Sequence, residues 1–132
     1  MTPTQGSDDM PIVLLVEDEA ALQEAAKFKL AQAGIIVLAA SDGEQALKLL
    51  ETTRPTLVWL DILLPGMNGL EVLRRIRSDE KTKDLPVIMV SVSAGEEKIK
   101  QAFGMNVIDY IVKSQYTIEE IVGKVKEIIK KL

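Results

Sequence analysis

The sequence predicts a doubly wound α/β fold, in which a five-stranded parallel sheet carries five helices on its two faces. Two observations predict it. Short apolar runs alternate along the chain with longer segments whose apolar residues recur at helical spacing, which is typical of a parallel sheet. In addition, residues 57–60 are apolar at every position, as expected for a central strand that is buried on both faces. The 132 residues and a hydrophobic content of 47% suffice for one domain with a full core.

The strands and helices are expected in strict alternation. The predicted strands comprise residues 12–16, 35–39, 57–61, 86–91 and 107–112. The predicted helices begin at Asp18 or Glu19, at Ser41 or Asp42, at Gly69, near Ala94 and after Thr117. Gly34 and Pro55 are stop signals for the first two helices, and Thr117 with Glu120 fits a capping box. The fourth helix is predicted to be the weakest, because only Ile99, Ala102 and Phe103 are available for packing.

The composition excludes several classes of function. The chain has 16 basic and 20 acidic residues, and its net charge of −4 argues against direct binding of nucleic acid. Arg74, Arg75 and Arg77 lie on the predicted third helix and are expected to face solvent. The chain contains no cysteine and no histidine, which excludes disulfides, thiolate or imidazole metal sites, and Ser-His catalysis.

The predicted location is the cytoplasm. No apolar run approaches the roughly 20 residues that a membrane helix needs. Residues 1–10 are polar and acidic and lack the apolar core of a secretory signal. They are expected to form a flexible tail, which leaves residues 11–132 as the domain.

Polar side chains follow the predicted strands at one end. Glu17 and Asp18 follow the first strand, Asp61 follows the third, Ser91 ends the fourth and Lys113 follows the fifth. If the strands are parallel, these groups converge at the carboxyl edge of the sheet, where open α/β folds place their ligand sites. The sequence therefore predicts a functional site built from carboxylates, a hydroxyl and an ammonium group.

Each of these side chains has an ordinary structural explanation when taken alone. Glu17 and Asp18 suit the start of a helix, Ser91 is a common strand end, and Lys113 is a common surface residue. Three converging carboxylates, however, repel one another unless a cation lies among them. An all-oxygen site suits Mg²⁺, and a carboxylate such as Asp61 can act as a nucleophile that forms an aspartyl-phosphate. Together, the groups predict phosphoryl chemistry supported by Mg²⁺ and an ammonium group.

Four stretches carry a resemblance to a known family. Residues 16–19, 61–69, 86–91 and 109–113 have the order and spacing of a response-regulator receiver domain of two-component signalling. The chain resembles that family, in the form of a chemotaxis-regulator-like single domain, from Pro11 to Leu132. The resemblance implies a flavodoxin-like strand order of 2-1-3-4-5. It also implies a phosphorylation-controlled switch that is not an enzyme, although it assists its own phosphorylation and dephosphorylation.

The resemblance also implies an acceptor and a metal site. Asp61 would take a phosphoryl group from a partner histidine kinase or phosphotransfer protein. Glu17, Asp18 and Asp61, with the backbone carbonyl of Leu63, would hold Mg²⁺.

The remaining implied roles concern the response to phosphorylation. Lys113 would bind the phosphoryl group, and Ser91 and Tyr110 would be the conformational switch pair. The output would be a protein-binding surface formed by the fourth helix, the fifth strand and the fifth helix. Neither nucleic acid nor membrane is an expected direct partner.

Three positions depart from the family pattern. Leu64 replaces a more usual Met. Val92 follows the switch hydroxyl, where the family has a small residue, and an alternative register would make Ser93, followed by Ala94, the switch position. Ser114 follows Lys113 where the family has a proline after a cis bond. Because a non-proline cis bond costs ~3 kcal/mol, this bond is expected to be trans or strained.

Two other functions are compatible with parts of the pattern. A degenerate receiver that serves only as an interaction module would lack an acceptor, metal or lysine residue, and all of these are present. A haloacid-dehalogenase-type phosphohydrolase also has an Asp nucleophile after a strand, but it needs a second Asp where this chain has Leu63. No predicted output domain follows the last helix, so the chain is either a single-domain regulator or a piece of a longer protein.

Overall fold

The computed structural model describes residues 10–92 and 95–132, and within them it shows five strands and five α-helices. The strands are β1 (Ile12–Val16), β2 (Ile36–Ala40), β3 (Leu57–Leu60), β4 (Val87–Ser91) and β5 (Asp109–Val112). The helices are α1 (Ala20–Gln32), α2 (Gly43–Leu50), α3 (Gly69–Ser78), α4 (Glu96–Gly104) and α5 (Ile118–Lys130). A short 3-10 helix (Lys113–Gln115) follows β5. Within the described residues, no helix is both long and apolar enough to cross a bilayer.

The strands form one parallel sheet in the order β2-β1-β3-β4-β5. This confirms the predicted fold class and strand order. After β1 the chain crosses to β2 on one side of the sheet, and after β3 it crosses to β4 on the other side. The loops that follow the adjacent strands β1 and β3 therefore leave the carboxyl edge in opposite directions. A switch of this kind opens a crevice there.

Alternate residues of each central strand pack into two separate cores. On one face, Leu14, Val58 and Met89 pack against apolar residues of α2, α3 and α4. On the other face, Leu15, Trp59, Ile88 and their neighbours pack against α1 and α5. All four residues of β3 are buried, as the uninterrupted apolar run predicted. The two filled cores hold the strand ends at the carboxyl edge in fixed positions.

The helix caps agree closely with the sequence prediction. Asp42 accepts a hydrogen bond from the Gln45 amide at the start of α2. Thr117 and Glu120 form the predicted capping box at the start of α5. Gly34, which follows α1, has a φ of 82°, a conformation that glycine adopts without a steric penalty.

The starts of β2 and β5 differ from the prediction because turn hydrogen bonds take up the first predicted residues. The end of β2, the end of β3 and the start of β4 also differ from the prediction, each by one residue. Strand β2 begins at Ile36, since the Ile35 amide donates to the Leu30 carbonyl at the end of α1. Strand β5 begins at Asp109, since the Val107 amide donates to the Ala102 carbonyl in the turn after α4. In both places an apolar residue packs in the core without belonging to the strand.

The prediction for α4 was wrong at Phe103. Ala102 is fully buried and Ile99 is half-buried, but the Phe103 side chain is 46% exposed. The helix turns Ala102 toward the sheet, and the adjacent residue therefore points away from it. The predicted start near Ala94 lies outside the described residues, and the helix begins at Glu96.

The prediction that all three arginines of α3 face solvent was wrong at Arg77. Arg74 and Arg75 are exposed and form ion pairs with Glu71. Arg77 is half-buried instead, and its guanidinium donates hydrogen bonds to four backbone carbonyl groups. Its burial lowers its pKa, although the charge of Asp84 opposes this shift.

Two other predictions fall at the gaps in the described residues. The tail predicted over residues 1–10 lies, apart from Met10, outside them. The domain boundary at residue 11 therefore stays a prediction. Ser93, the alternative switch residue, also lies outside the described residues.

Candidate functional site

The carboxyl edge of the sheet brings the predicted polar residues together. Glu17 and Asp61 follow the adjacent strands β1 and β3, and Lys113 follows β5. Ser91 is the last residue of β4. Glu17, Asp61 and Ser91 are buried, whereas Asp18 is exposed to solvent. The site is therefore a pocket with a buried floor and an open acidic side.

Lys113 links the two buried carboxylates. Its Nζ donates hydrogen bonds to Glu17 Oε1 at 2.6 Å and to Asp61 Oδ2 at 2.9 Å. The Lys113 side chain is only 11% exposed, so this contact is shielded from water. Lys113 lies 96 residues from Glu17 and 52 from Asp61 in the sequence, and the parallel sheet brings the three together.

The electrostatic balance of the pocket is incomplete, because one ammonium group faces two buried carboxylates. Burial raises the pKa of Glu17, the charge of Asp61 adds to this, and Lys113 opposes it. Burial alone would lower the pKa of Lys113, but its hydrogen bonds to Glu17 and Asp61 outweigh this effect and raise it. Both raised pKa values favour the protonated forms of Glu17 and Lys113. The pocket therefore favours additional positive charge.

The pocket also has the donor set of a hard cation. Glu17, Asp18 and Asp61 each offer one carboxylate oxygen, and these atoms lie within 4.8 Å of one another. Oxygen-only donors and a deficit of positive charge suit Mg²⁺, which takes one or two carboxylates and keeps several waters. The exposure of Asp18 leaves an open side for those waters. The residues present therefore fit a magnesium ion.

A tight loop after β3 orients Asp61. The Leu63 amide donates to Asp61 Oδ1 at 3.2 Å, while Oδ2 accepts from Lys113. The loop then folds back, so that the Gly69 amide donates to the Ile62 carbonyl at 2.8 Å. A Cβ at position 69 would collide with the Asp61 carbonyl oxygen, and only glycine fits this close approach. Both oxygens of Asp61 are thus held in defined directions.

Tyr110 lies on β5, which is separated by β4 from the strand that Asp61 follows. Burial raises the pKa of Tyr110, a side-chain hydrogen bond with Ser91 lowers it, and the charge of Asp61 raises it further. The half-buried Tyr110 also packs against the core shared with α2, α3 and α4. The two hydroxyl residues predicted as a pair are therefore in contact.

The comparison with protein families decides the identity of the chain. The family model for the response regulator receiver domain matches residues 13–126. This chain belongs to the response regulator receiver domain family. Receiver domains are phosphoacceptor signalling domains, and this domain is a phosphorylation-controlled switch.

Individual relatives agree with this membership. The receiver domain is 34% identical over 119 residues to the phosphate regulon transcriptional regulatory protein PhoB of Pseudomonas aeruginosa. That match covers 90% of this chain and 52% of PhoB. The chain thus spans about half the length of the curated relatives that it matches.

Solved structures show the same architecture. A CheY-like receiver domain from Methanospirillum hungatei superposes with a TM-score of 0.85 at 25% identity, covering 93% of this chain and 96% of that one. The phosphorylated cyanobacterial phytochrome response regulator RcpA gives a TM-score of 0.81 at 32% identity, covering 89% of this chain and 92% of that one.

Two exposed apolar residues, Leu63 and Val92, follow strands β3 and β4 at the carboxyl edge, and we call them the rim of the pocket. Leu63, two residues after Asp61, is 51% exposed, and Val92, directly after Ser91, is 57% exposed. The sequence marked Val92 as a departure from the family pattern, and Leu63 as the position where a haloacid-dehalogenase-type phosphohydrolase would need a second Asp. Both side chains expose apolar surface on the loops that follow β3 and β4.

The loop after Lys113 in the receiver domain has a trans peptide bond to Ser114, since the described residues contain no cis bond. Residues Lys113–Gln115 form the short 3-10 helix. The departure from proline at position 114 is therefore accommodated within a regular turn.

Sequence reasoning missed one residue near the pocket. The Gln23 side-chain amide of α1 donates to the Glu17 carbonyl at 2.8 Å. The only available sequence signal was a polar residue in the first turns of an otherwise Ala-rich helix, which is ordinary for a helix surface.

Proposed function

We propose that Asp61 is the phosphoacceptor of this receiver domain. The observation that carries the proposal is the Lys113 ammonium group between Asp61 and Glu17 in a pocket that favours further positive charge. A phosphoryl group on Asp61 would bring its oxygens next to this ammonium group. Such preorganised positive charge stabilises phosphoryl transfer.

In the proposed step, one oxygen of Asp61 forms a bond to phosphorus while the bond from phosphorus to the donor breaks. With a phosphohistidine donor, the electron pair of the broken bond leaves with the imidazole nitrogen. The Leu63 amide and Lys113 orient the carboxylate for this attack. The Ser91 hydroxyl, which is buried, would donate a hydrogen bond to the transferred group.

Glu17, Asp18 and Asp61, with the Leu63 backbone carbonyl, are the residues that would hold Mg²⁺. The convergence of the three carboxylates supports this assignment. When bound, the ion supplies positive charge that offsets the charge of the phosphoryl oxygens. Asp18, as the exposed member, has the most freedom to adjust its position.

The proposed partners follow from family membership. The phosphoryl donor is a sensor histidine kinase or a phosphotransfer protein, and the cytoplasm stays the predicted location. A downstream protein binds the surface of α4, β5 and α5, which we call the output face. The net charge of −4 continues to argue against direct nucleic-acid binding by this domain.

The experiment is intact-mass measurement after incubation with acetyl phosphate and Mg²⁺. We expect one added phosphoryl group on the wild type, and none on Asp61→Asn or on the wild type in EDTA. Asp84→Asn is the matched control, because Asp84 is exposed and precedes β4, at the opposite edge of the sheet. Full labelling of Asp61→Asn, or undiminished labelling in EDTA, would contradict the proposal.

A further inference from the structure

Gln23 joins two loops at the carboxyl edge of the sheet. Its Nε2 donates to the Glu17 carbonyl at 2.8 Å, and it also lies 3.3 Å from the Ala40 carbonyl and 3.4 Å from Ser41 Oγ. The short contact to Glu17 is the strongest of the three by distance. Gln23 is half-buried, which protects this contact from competing water.

The carbonyl that Gln23 contacts belongs to the peptide that joins Glu17 to Asp18. The same segment is held on its other side, where the Glu17 amide donates to the Ala40 carbonyl at 3.0 Å. The Glu19 amide also donates to Glu17 Oε2 at 3.2 Å. A peptide unit is planar from one Cα to the next. Because of this, a hydrogen bond that holds the Glu17 carbonyl also restricts the position of the Asp18 amide and Cα.

We infer that Gln23 is a positioning residue for the acidic pair Glu17 and Asp18. The inference rests on the proposed function, because it concerns the Mg²⁺ that this pair would hold. Asp18 is exposed, and none of the hydrogen bonds described above holds its carboxylate. Its direction before the ion binds therefore depends on its backbone. Gln23 sets that backbone and raises Mg²⁺ affinity by reducing the ordering required on binding.

A purely structural role for Gln23 predicts a different result. If the side chain only holds α1 against the sheet, its loss lowers folding stability but leaves Mg²⁺ affinity unchanged. The two roles are separated by measuring the Mg²⁺ dissociation constant and the stability of the metal-free protein on the same variants.

The test uses Gln23→Met, which keeps the approximate side-chain length but removes the donor. Gln23→Asn, a second variant, keeps the amide on a chain that is one methylene too short. Gln45→Met is the matched control. Gln45 accepts a hydrogen bond from the neighbouring Ser41 amide at 3.0 Å, and its bonds are to Ser41 and Asp42, not to Glu17.

We expect both Gln23 variants to bind Mg²⁺ about tenfold more weakly in calorimetric titrations, and Gln45→Met to match the wild type. Labelling by acetyl phosphate should need correspondingly more Mg²⁺ but reach the wild-type rate at saturation. Equal affinity in the wild type and both Gln23 variants, or an equal loss in Gln45→Met, overturns the inference. If the wild type itself binds no Mg²⁺, the proposed metal site fails instead, and the two failures are thus distinguishable.

Discussion

Leu63 and Val92 give this pocket an apolar rim above its charged and polar floor. Both side chains are about half exposed, and both are apolar beside a floor of charged and polar groups. Hydrolysis of a phosphorylated Asp61 requires a water molecule in line with the bond to phosphorus. An apolar rim offers such a water no hydrogen bond, so the phosphorylated state should be long-lived.

Leu63→Asn tests whether water placement sets this lifetime. The Asn side chain supplies a donor and an acceptor that can position the attacking water, and we expect faster loss of the phosphoryl group by about tenfold, or ~1.4 kcal/mol of barrier. The measurement is the decay of phospho-Asp61 after the donor is removed. Leu63→Met, which keeps an apolar side chain, should decay like the wild type. A wild type that decays as fast as Leu63→Asn would rule out this role for position 63.

Val92→Ala tests the effect of bulk beside the pocket. Val92 follows the buried Ser91 and is 57% exposed, and we expect its bulk to limit the approach of small donors. We expect acetyl phosphate to label Val92→Ala several-fold faster than the wild type. The initial rate of labelling, followed by mass, is the measurement. Val92→Thr keeps the branched shape and should label at the wild-type rate, whereas equal rates for all three proteins would refute the steric explanation.

At the scale of elements, α3 and α4 are joined by Arg77 near their C-terminal ends. The Arg77 guanidinium donates to the Met105 carbonyl at 2.8 Å and to the Asn106 carbonyl at 3.2 Å, both directly after α4. It also donates to the carbonyl groups of Lys83 and Leu85, which precede β4. Asn106 has a φ of 60°, so its turn is one that non-glycine residues seldom adopt.

Arg77→Met should destabilise the domain by about 2–4 kcal/mol. The substitution keeps an apolar stem but leaves four carbonyl groups without their charged donor. A hydrogen bond to a charged group contributes about 1.5–3 kcal/mol, but the bonds to Lys83 and Asn106 are exposed, so water can replace the donor there. Urea unfolding measures the change. Arg74→Met is the control, because Arg74 is exposed and its ion pair with Glu71 should contribute less than ~1 kcal/mol. Equal losses in the two variants would show that Arg77 has no special role.

At the scale of the whole molecule, the contact between Ser91 and Tyr110 links the pocket to the output face. Ser91 ends β4 beside Asp61, and Tyr110 lies on β5 between α4 and α5 in the chain. The α4 helix has one buried residue, Ala102, and exposes Phe103. An element with so little buried surface has low local stability and is suited to move when the pair rearranges.

Beryllofluoride, a phosphoryl mimic, should therefore alter amide chemical shifts on α4, β5 and α5 as well as in the pocket. The reason is that a group on Asp61 competes for the Ser91 hydroxyl and changes its contact with Tyr110. Tyr110→Phe should reduce the changes on α4 while leaving those in the pocket. Asp61→Asn with beryllofluoride is the control and should show no change. Shifts confined to the pocket in the wild type would exclude this route to the output face.

The sequence by itself determined the fold class and the chemical components of the site. The apolar runs predicted β1 to β5, and the polar residues that follow them predicted which groups would meet at the carboxyl edge. This works because alternation of strands and helices requires parallel strands, and parallel strands end at the same edge. Glu17, Asp61, Ser91 and Lys113 could thus be assigned to one pocket without coordinates.

Only the tertiary structure decided how those components are oriented and which side chains support them. The hydrogen bonds of Arg77 to carbonyl groups 28 and 29 residues away, and of Gln23 to the Glu17 and Ala40 carbonyls, have backbone acceptors. Every residue carries such a carbonyl, so no residue type in the sequence marks the partner. The exposure of Phe103 likewise follows from the rotation of α4 against the sheet. Helical periodicity narrows that rotation, but packing against neighbouring elements sets it.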